Sequence, residues 1–80
     1  MRFPQAQRAT VAALREARIA AGLSARQLAE QMKLPHNFIS RIESGERRLL
    51  AGQFLAICIA LKVRPGTVMA RAEKLLKRMR

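Results

Sequence analysis

Two short segments with helical apolar spacing stand close together in "LSARQLAEQMKLPHNFISRIESGE", and the brief gap between them is the strongest constraint on how this chain folds. Ser24 followed three residues later by Gln27 makes a capping box. Leu28, Ala29 and Met32 then give the helix it opens one apolar face, over about eight residues. Lys33 and Leu34 leave only a tight connection. Beyond them Pro35 is preset for a first helical turn, Ile39 and Ile42 carry a buried side, and Gly45 stops the second helix. Two helices this short, joined by so small a turn, meet the packing needs of a helix-turn-helix unit. Ala29 matters in that unit, because a bulky side chain there holds the two helices apart.

The rest of the chain also reads as helix. Thr10 caps a first helix over about Val11 to Ala21, with Val11, Leu14, Ala17 and Ala21 on one face and Gly22 where a left-handed terminating residue belongs. Ala51 to Leu61 forms a fourth helix, and Pro65-Gly66 punctuates. Val68, Ala72, Leu75 and Met79 mark a last amphipathic helix over about 66–79, whose other sides carry Arg71, Lys74, Lys77 and Arg78. Strand signals are nearly absent: there is no tyrosine or tryptophan, and no sustained alternation outside "ICIALKV". The expected class is all-α, five helices in one domain over 1–80, since eighty residues hold a single thin core that leans on helix packing or a partner chain.

Sixteen Lys and Arg against five Asp and Glu leave a net charge of +11, more than solubility asks of a small domain. The excess is spread along the chain, ten basic against four acidic side chains over 1–63 and six against one over 64–80. A polyanion is the partner this implies, and charge alone does not choose between nucleic acid and an acidic membrane. Cys58, the single cysteine, lies in the apolar run "FLAICIALKV", so it forms no intrachain disulfide and joins no metal cluster. The start "MRFPQAQRAT" lacks a signal peptide's apolar run, and no stretch reaches the roughly 18 apolar residues of a membrane span. A cytoplasmic protein with no metal and no cofactor is expected. Catalysis is not indicated either, for want of a paired acid/base constellation, a nucleophile beside a histidine, or a Gly-rich phosphate loop.

The stretch "LREARIAAGLSARQLAEQMKLPHNFISRIESGERRLLAGQFLAICIALKV", residues 14–63, resembles the lambda-repressor-like, XRE-type helix-turn-helix domain. "AAGLS", "QLAEQM", "ISRIESGERRL" and "ALKV" carry the likeness, in the right order and at the right separations. The resemblance implies that the third helix, about 36–43, lies in the DNA major groove while the second crosses the sugar-phosphate backbone. Helical geometry agrees: Ile39 and Ile42 define the buried side, and Asn37, Ser40, Arg41 and Ser44 fall opposite. Asn pairs bidentately with adenine and Arg with guanine, so His36, Asn37, Ser40 and Arg41 are the candidate base readers. His36, after a proline, serves either as a reader or as cover for the helix start. Phe38 meets either a thymine methyl or the second helix.

Candidate phosphate contacts are Arg26 with the backbone amides at the start of the second helix, Lys33 in the turn, Ser44 at the helix end, and Arg47 and Arg48 on the following loop. Arg18 and Glu43 match an arginine and a glutamate that pair in family members, which implies a structural ion pair tying the first helix to the third. Ala25 departs from the family, standing where a phosphate-touching glutamine is common. Lys33 replaces a turn glycine, at a cost of about 1 kcal/mol if φ is positive there. Leu49-Leu50 replaces a more polar link, and Ala56 and Ile59 replace polar residues, adding apolar surface that suits either packing against the last helix or a subunit interface. A candidate dimer surface is therefore Ala56, Ile59, Met69 and Leu76.

The resemblance implies a double-stranded-DNA-binding regulator, a homodimer on a two-fold operator, of the kind found in bacterial or phage repressors and associated with the nucleoid. Three alternatives remain open at this point. One is an antitoxin that also neutralises a toxin partner, one is an interaction module that keeps the fold without reading DNA, and one is a membrane-surface peptide built on the basic last helix.

Overall fold

The computed structural model describes residues 3–79, so Met1, Arg2 and Arg80 of the expected 1–80 domain lie outside the described residues. Within them the chain forms five α-helices and no strand: α1 Phe3–Ala20, α2 Ala25–Gln31, α3 Phe38–Ser44, α4 Ala51–Leu61 and α5 Pro65–Arg78.

The first helix is longer than its sequence pattern indicates. It begins at Phe3 rather than Val11, and Thr10 is not its cap but an interior residue whose hydroxyl donates back to the Ala6 carbonyl at 2.8 Å. Pro4 suits a first turn, and the Gln, Ala and Arg residues that follow are good helix formers. The extra turns have a tertiary role. Ala9 and Ala13 are buried on α1, and small side chains there let a neighbouring helix approach closely. That neighbour is α5, with which α1 makes the most extensive helix–helix contact in the fold. Val68 and Ala72 of α5 are buried, and Leu75 packs on the core. Glu16 and Arg71 fasten the pair, Arg71 Nε donating to Glu16 Oε1 at 2.8 Å and Nη2 to Oε2 at 3.1 Å. The apolar stripe of the last helix is thus covered within the chain.

Leu28, Ala29, Ile39, Ile42, Phe54, Ile57, Cys58 and Leu61 join α1 in the core. Burial pushes the Cys58 thiol above its ordinary pKa, as expected of a packing residue rather than a reactive one. Each of α1 to α4 stops at a left-handed residue. Gly22 and Gly45 fill that place after α1 and α3 with φ of 77° and 88°, whereas Lys33 and Lys62 fill it after α2 and α4 with φ of 58° and 59°. Leu34 N–H donates to Ala29 O and Val63 N–H to Cys58 O, closing both lysine-terminated ends in the same way as Leu23 N–H to Arg18 O closes the end at Gly22. A lysine costs about 1 kcal/mol of backbone strain there, partly offset by its charge at the negative helix end. Among the described residues no single helix is long and apolar enough to cross a membrane.

Candidate nucleic-acid interface

The capping box reads out as its residue types require: Ser24 Oγ accepts from Gln27 N at 3.0 Å, and Gln27 Oε1 accepts from Ser24 N at 2.8 Å. This fixes the start of α2, and with it the exposed Arg26 in its first turn. Leu28 and Ala29 on the inner side are buried in one cluster with Ile39 and Ile42 of α3. The third helix starts later than its sequence implies. Pro35, His36 and Asn37 form a turn, closed by Phe38 N–H donating to Pro35 O at 2.9 Å, and α3 runs from Phe38 to Ser44 instead of from about residue 36.

That shift changes what Asn37 is. It becomes the residue before the helix, with φ −101° and ψ 9°, and its side chain makes no capping bond. The amide is left with its donors and acceptor available for a ligand. Arg41 lies one helical turn further on and is exposed, with no carboxylate partner within ion-pair distance among the described residues. Ser40 and Ser44 are exposed too, but their hydroxyls donate to Asn37 O and Arg41 O, at 3.0 and 3.1 Å. Ser44 Oγ also accepts from Glu46 N at 3.4 Å, which sets the hydroxyl at the end of the helix. His36 is exposed in the turn, and Phe38 is half-buried on the flank of α3.

Arg18 holds α3 from behind. Its Nε donates to Glu43 Oε2 at 2.7 Å, its Nη2 to Glu43 Oε1 at 2.9 Å, and its Nη1 to the Leu23 carbonyl at 2.7 Å. One guanidinium therefore joins α1, the turn before α2 and the inner flank of α3. Arg15 adds a looser contact to Glu43 at 3.6 Å.

Lys33, Arg47 and Arg48 are exposed, on the turn and on the loop after α3. An open cleft of about 1090 Å³ runs between that loop and the added turns of α1, and Arg8, Arg15, Arg47 and Arg48 line it with Glu43 and Glu46. Sequence patterning missed Arg8 and Arg15 as neighbours of the loop: the longer α1 brings Arg8 there, and Arg15 depends on how α1 packs against the loop, which periodicity does not encode. It also missed a stack between Arg47 and Phe38, the guanidinium carbon lying 4.5 Å from the ring centroid. Among the described residues no three His, Cys, Asp or Glu side chains are grouped to hold a metal ion.

Two short helices packed at a tight turn, with a polar, cationic outer face on the second, are the parts of a helix-turn-helix. A helix-turn-helix domain family matches residues 9–72. An XRE-family like protein from Pseudomonas syringae pv. tomato str. DC3000 has a solved structure that superposes with a TM-score of 0.78, at 31% identity, over 88% of this chain and 85% of that one. The chain belongs to the XRE-type helix-turn-helix family. As a member of it, the protein has a DNA-binding regulatory fold. No curated protein matches the sequence significantly.

Within the XRE-type frame, the outer face of α3 carries Ser40 and Arg41, the half-buried Asn37 stands just before it, and the loop after it carries Arg47 and Arg48. The candidate dimer residues divide. Ala56, Ile59 and Met69 are exposed, Ile59 to 66%, so packing against α5 does not account for the apolar character of Ala56 and Ile59. Leu76 is half-buried on the helix that packs against α1. Leu50, 56% exposed, belongs to the Leu49-Leu50 link whose apolar surface suits either role, and Leu55, 50% exposed, lies outside the expected set.

Proposed function

We propose that the protein is a sequence-specific regulator of transcription that binds double-stranded DNA as a homodimer and represses from a two-fold operator. The observation that carries this is the succession of the uncapped Asn37, just before α3, and the unpaired Arg41, one turn along a helix clamped from behind by Arg18 and Glu43. The clamp holds that side of α3 in a fixed direction, as a reading helix requires. In a major groove Asn37 takes an adenine edge and Arg41 a guanine edge, with Ser40 and His36 beside them as lesser contacts. Arg26, Lys33 and Arg48 take phosphates on either side and set register rather than sequence. The function is one of binding, with no catalytic step and no cofactor, in the cytoplasm.

One recognition helix reads too few base pairs to define a genomic site, and two related by a dyad read half-sites about 34 Å apart. The exposed apolar residues of α4 give a second copy its seat. The test is site selection from a randomised duplex pool, followed by Asn37→Ala and Arg41→Ala on the selected duplex. Each should cost about 1–3 kcal/mol of specific affinity and relax one base position, with the fold retained. Equal losses on selected and random DNA would leave these side chains as general charge or polarity and overturn their role as readers. An antitoxin with this fold would show the same DNA binding and, in addition, capture a toxin partner.

A further inference from the structure

Arg47 belongs by sequence to the loop after α3, yet its side chain does not follow the loop outward. Its backbone N–H donates to the Arg41 carbonyl at 3.0 Å, which draws the loop back along the helix. Its guanidinium then stacks 4.5 Å from the ring of Phe38, the first residue of α3. A seven-residue helix is about 10 Å long, so the arginine reaches back over the helix towards its N-terminal end. By helical rotation Phe38 lies about 60° from Arg41, on the side away from Glu43. The recognition helix thus carries two guanidinium groups on one flank, and neither has a carboxylate within ion-pair distance among the described residues.

We infer that Arg47 is a third base reader, that it takes a guanine, and that Phe38 is the residue that positions it. The inference rests on the DNA-reading role proposed for α3. Stacking engages the flat face of a guanidinium and leaves its edge, with the N–H donors, free in the plane. The edge is the part that meets guanine O6 and N7. N-terminal residues of a recognition helix lie nearest the base edges, so a cation parked over Phe38 stands at base level, whereas one extended from the loop stands at the backbone. The stack also removes part of the freedom that a long side chain loses on binding. Arg48, the next residue, has no such partner and keeps the phosphate role.

The experiment selects duplexes from one randomised pool with the wild-type chain, Arg47→Lys, Arg47→Ala, Phe38→Leu and Phe38→Tyr, circular dichroism having shown each to be folded. Lysine keeps the charge but lacks both the planar face and the two-pronged edge. The wild type should select a guanine that Arg47→Lys and Arg47→Ala lose, by about tenfold or more in preference at that single position of each half-site. Phe38→Leu should weaken the same position and no other, and Phe38→Tyr, which keeps a ring, should restore it. If Arg47→Lys selects the wild-type site unchanged, while Arg47→Ala weakens every duplex alike and lowers the salt slope by about one, Arg47 is a phosphate contact and the inference is overturned. If the wild type enriches no sequence, the DNA-reading proposal itself fails and takes this one with it.

Discussion

Arg18 and Glu43 meet across 25 residues of chain in a two-pronged pair, 2.7 and 2.9 Å, with side chains only 10% and 14% exposed. The pair fixes the angle at which α3 leaves the body of the molecule. Arg18 spends its remaining contact on the Leu23 carbonyl, at the turn that opens α2, so both helices of the motif are referred to one guanidinium. A reading helix has to be held to a fraction of an ångström, and a charged pair with fixed fork geometry supplies direction that apolar packing alone does not.

Removing one partner should therefore cost far more than an exposed ion pair does. Arg18→Ala or Glu43→Gln leaves a nearly buried charge or acceptor set uncompensated, and each should lose about 3 kcal/mol of stability. For a domain of this size that is a fall in Tm on the order of 10 to 20 °C. Arg15→Ala removes only the exposed 3.6 Å contact and should cost less than about 1 kcal/mol. Thermal denaturation of the three variants gives the comparison. If all three melt together, the Arg18–Glu43 pair is an ordinary surface contact.

The motif was legible because its signals are local. A capping box, a small residue at Ala29 and two isoleucines three apart specify α2 and α3 by rules that span a few residues. The added turns of α1 were not legible, since "FPQAQRAT" holds, after Phe3, only two alanines where a large apolar stripe would announce a helix, and its partner α5 lies over fifty residues away. Thr10 misled for a physical reason: a threonine hydroxyl serves an N-cap and an i−4 carbonyl equally well. The late start of α3 and the Arg47–Phe38 stack escaped for the same cause, because both depend on how a turn or a loop folds back on the helix, which periodicity does not encode.

Arg48 offers the complementary test to the base readers. It is exposed after the helix-ending Gly45 and has no ion-pair partner among the described residues. Arg48→Ala should weaken binding to selected and random duplexes by the same factor and reduce the slope of log affinity against log salt by about one. An unchanged slope would make it a solvated arginine with no part in the interface.

The α1–α5 clamp should show in the acid range. The hydrogen bonds from Arg71 hold the Glu16 carboxyl below its ordinary value of 4.5, outweighing the opposing effect of burial. Its folded-state pKa being the lower one, its contribution to stability is present above about 4.5 and is lost as pH falls through the folded value. Glu16→Gln should therefore lose less Tm than the wild type between about pH 5 and about pH 3. Parallel curves for the two proteins would show that the clamp contributes nothing that titrates.

The apolar outer face of α4 makes the last prediction the sharpest. Leu55 and Ile59 stand one helical turn apart and are 50% and 66% exposed, with Leu50 at 56% on the same helix's start and Met69 at 48% on α5. Two large aliphatic side chains exposed at that spacing form an apolar ridge, the kind of surface on which a second copy is proposed to sit. Because Ile59 already faces solvent, a lysine there buries no charge, so Ile59→Lys should keep its helical circular dichroism and change the stability of the single chain by no more than about 0.5 kcal/mol. On the dimer proposed above, the wild type should sediment as a dimer and Ile59→Lys as a monomer. Operator binding should then fall steeply, since a monomer engages one half-site and forgoes the second, while affinity for a random duplex changes little. Leu76→Lys makes the contrast, because Leu76 is half-buried on the helix packed against α1 and its replacement should lower stability directly. An Ile59→Lys protein that still dimerises and still binds its operator at wild-type strength would take α4 out of the interface.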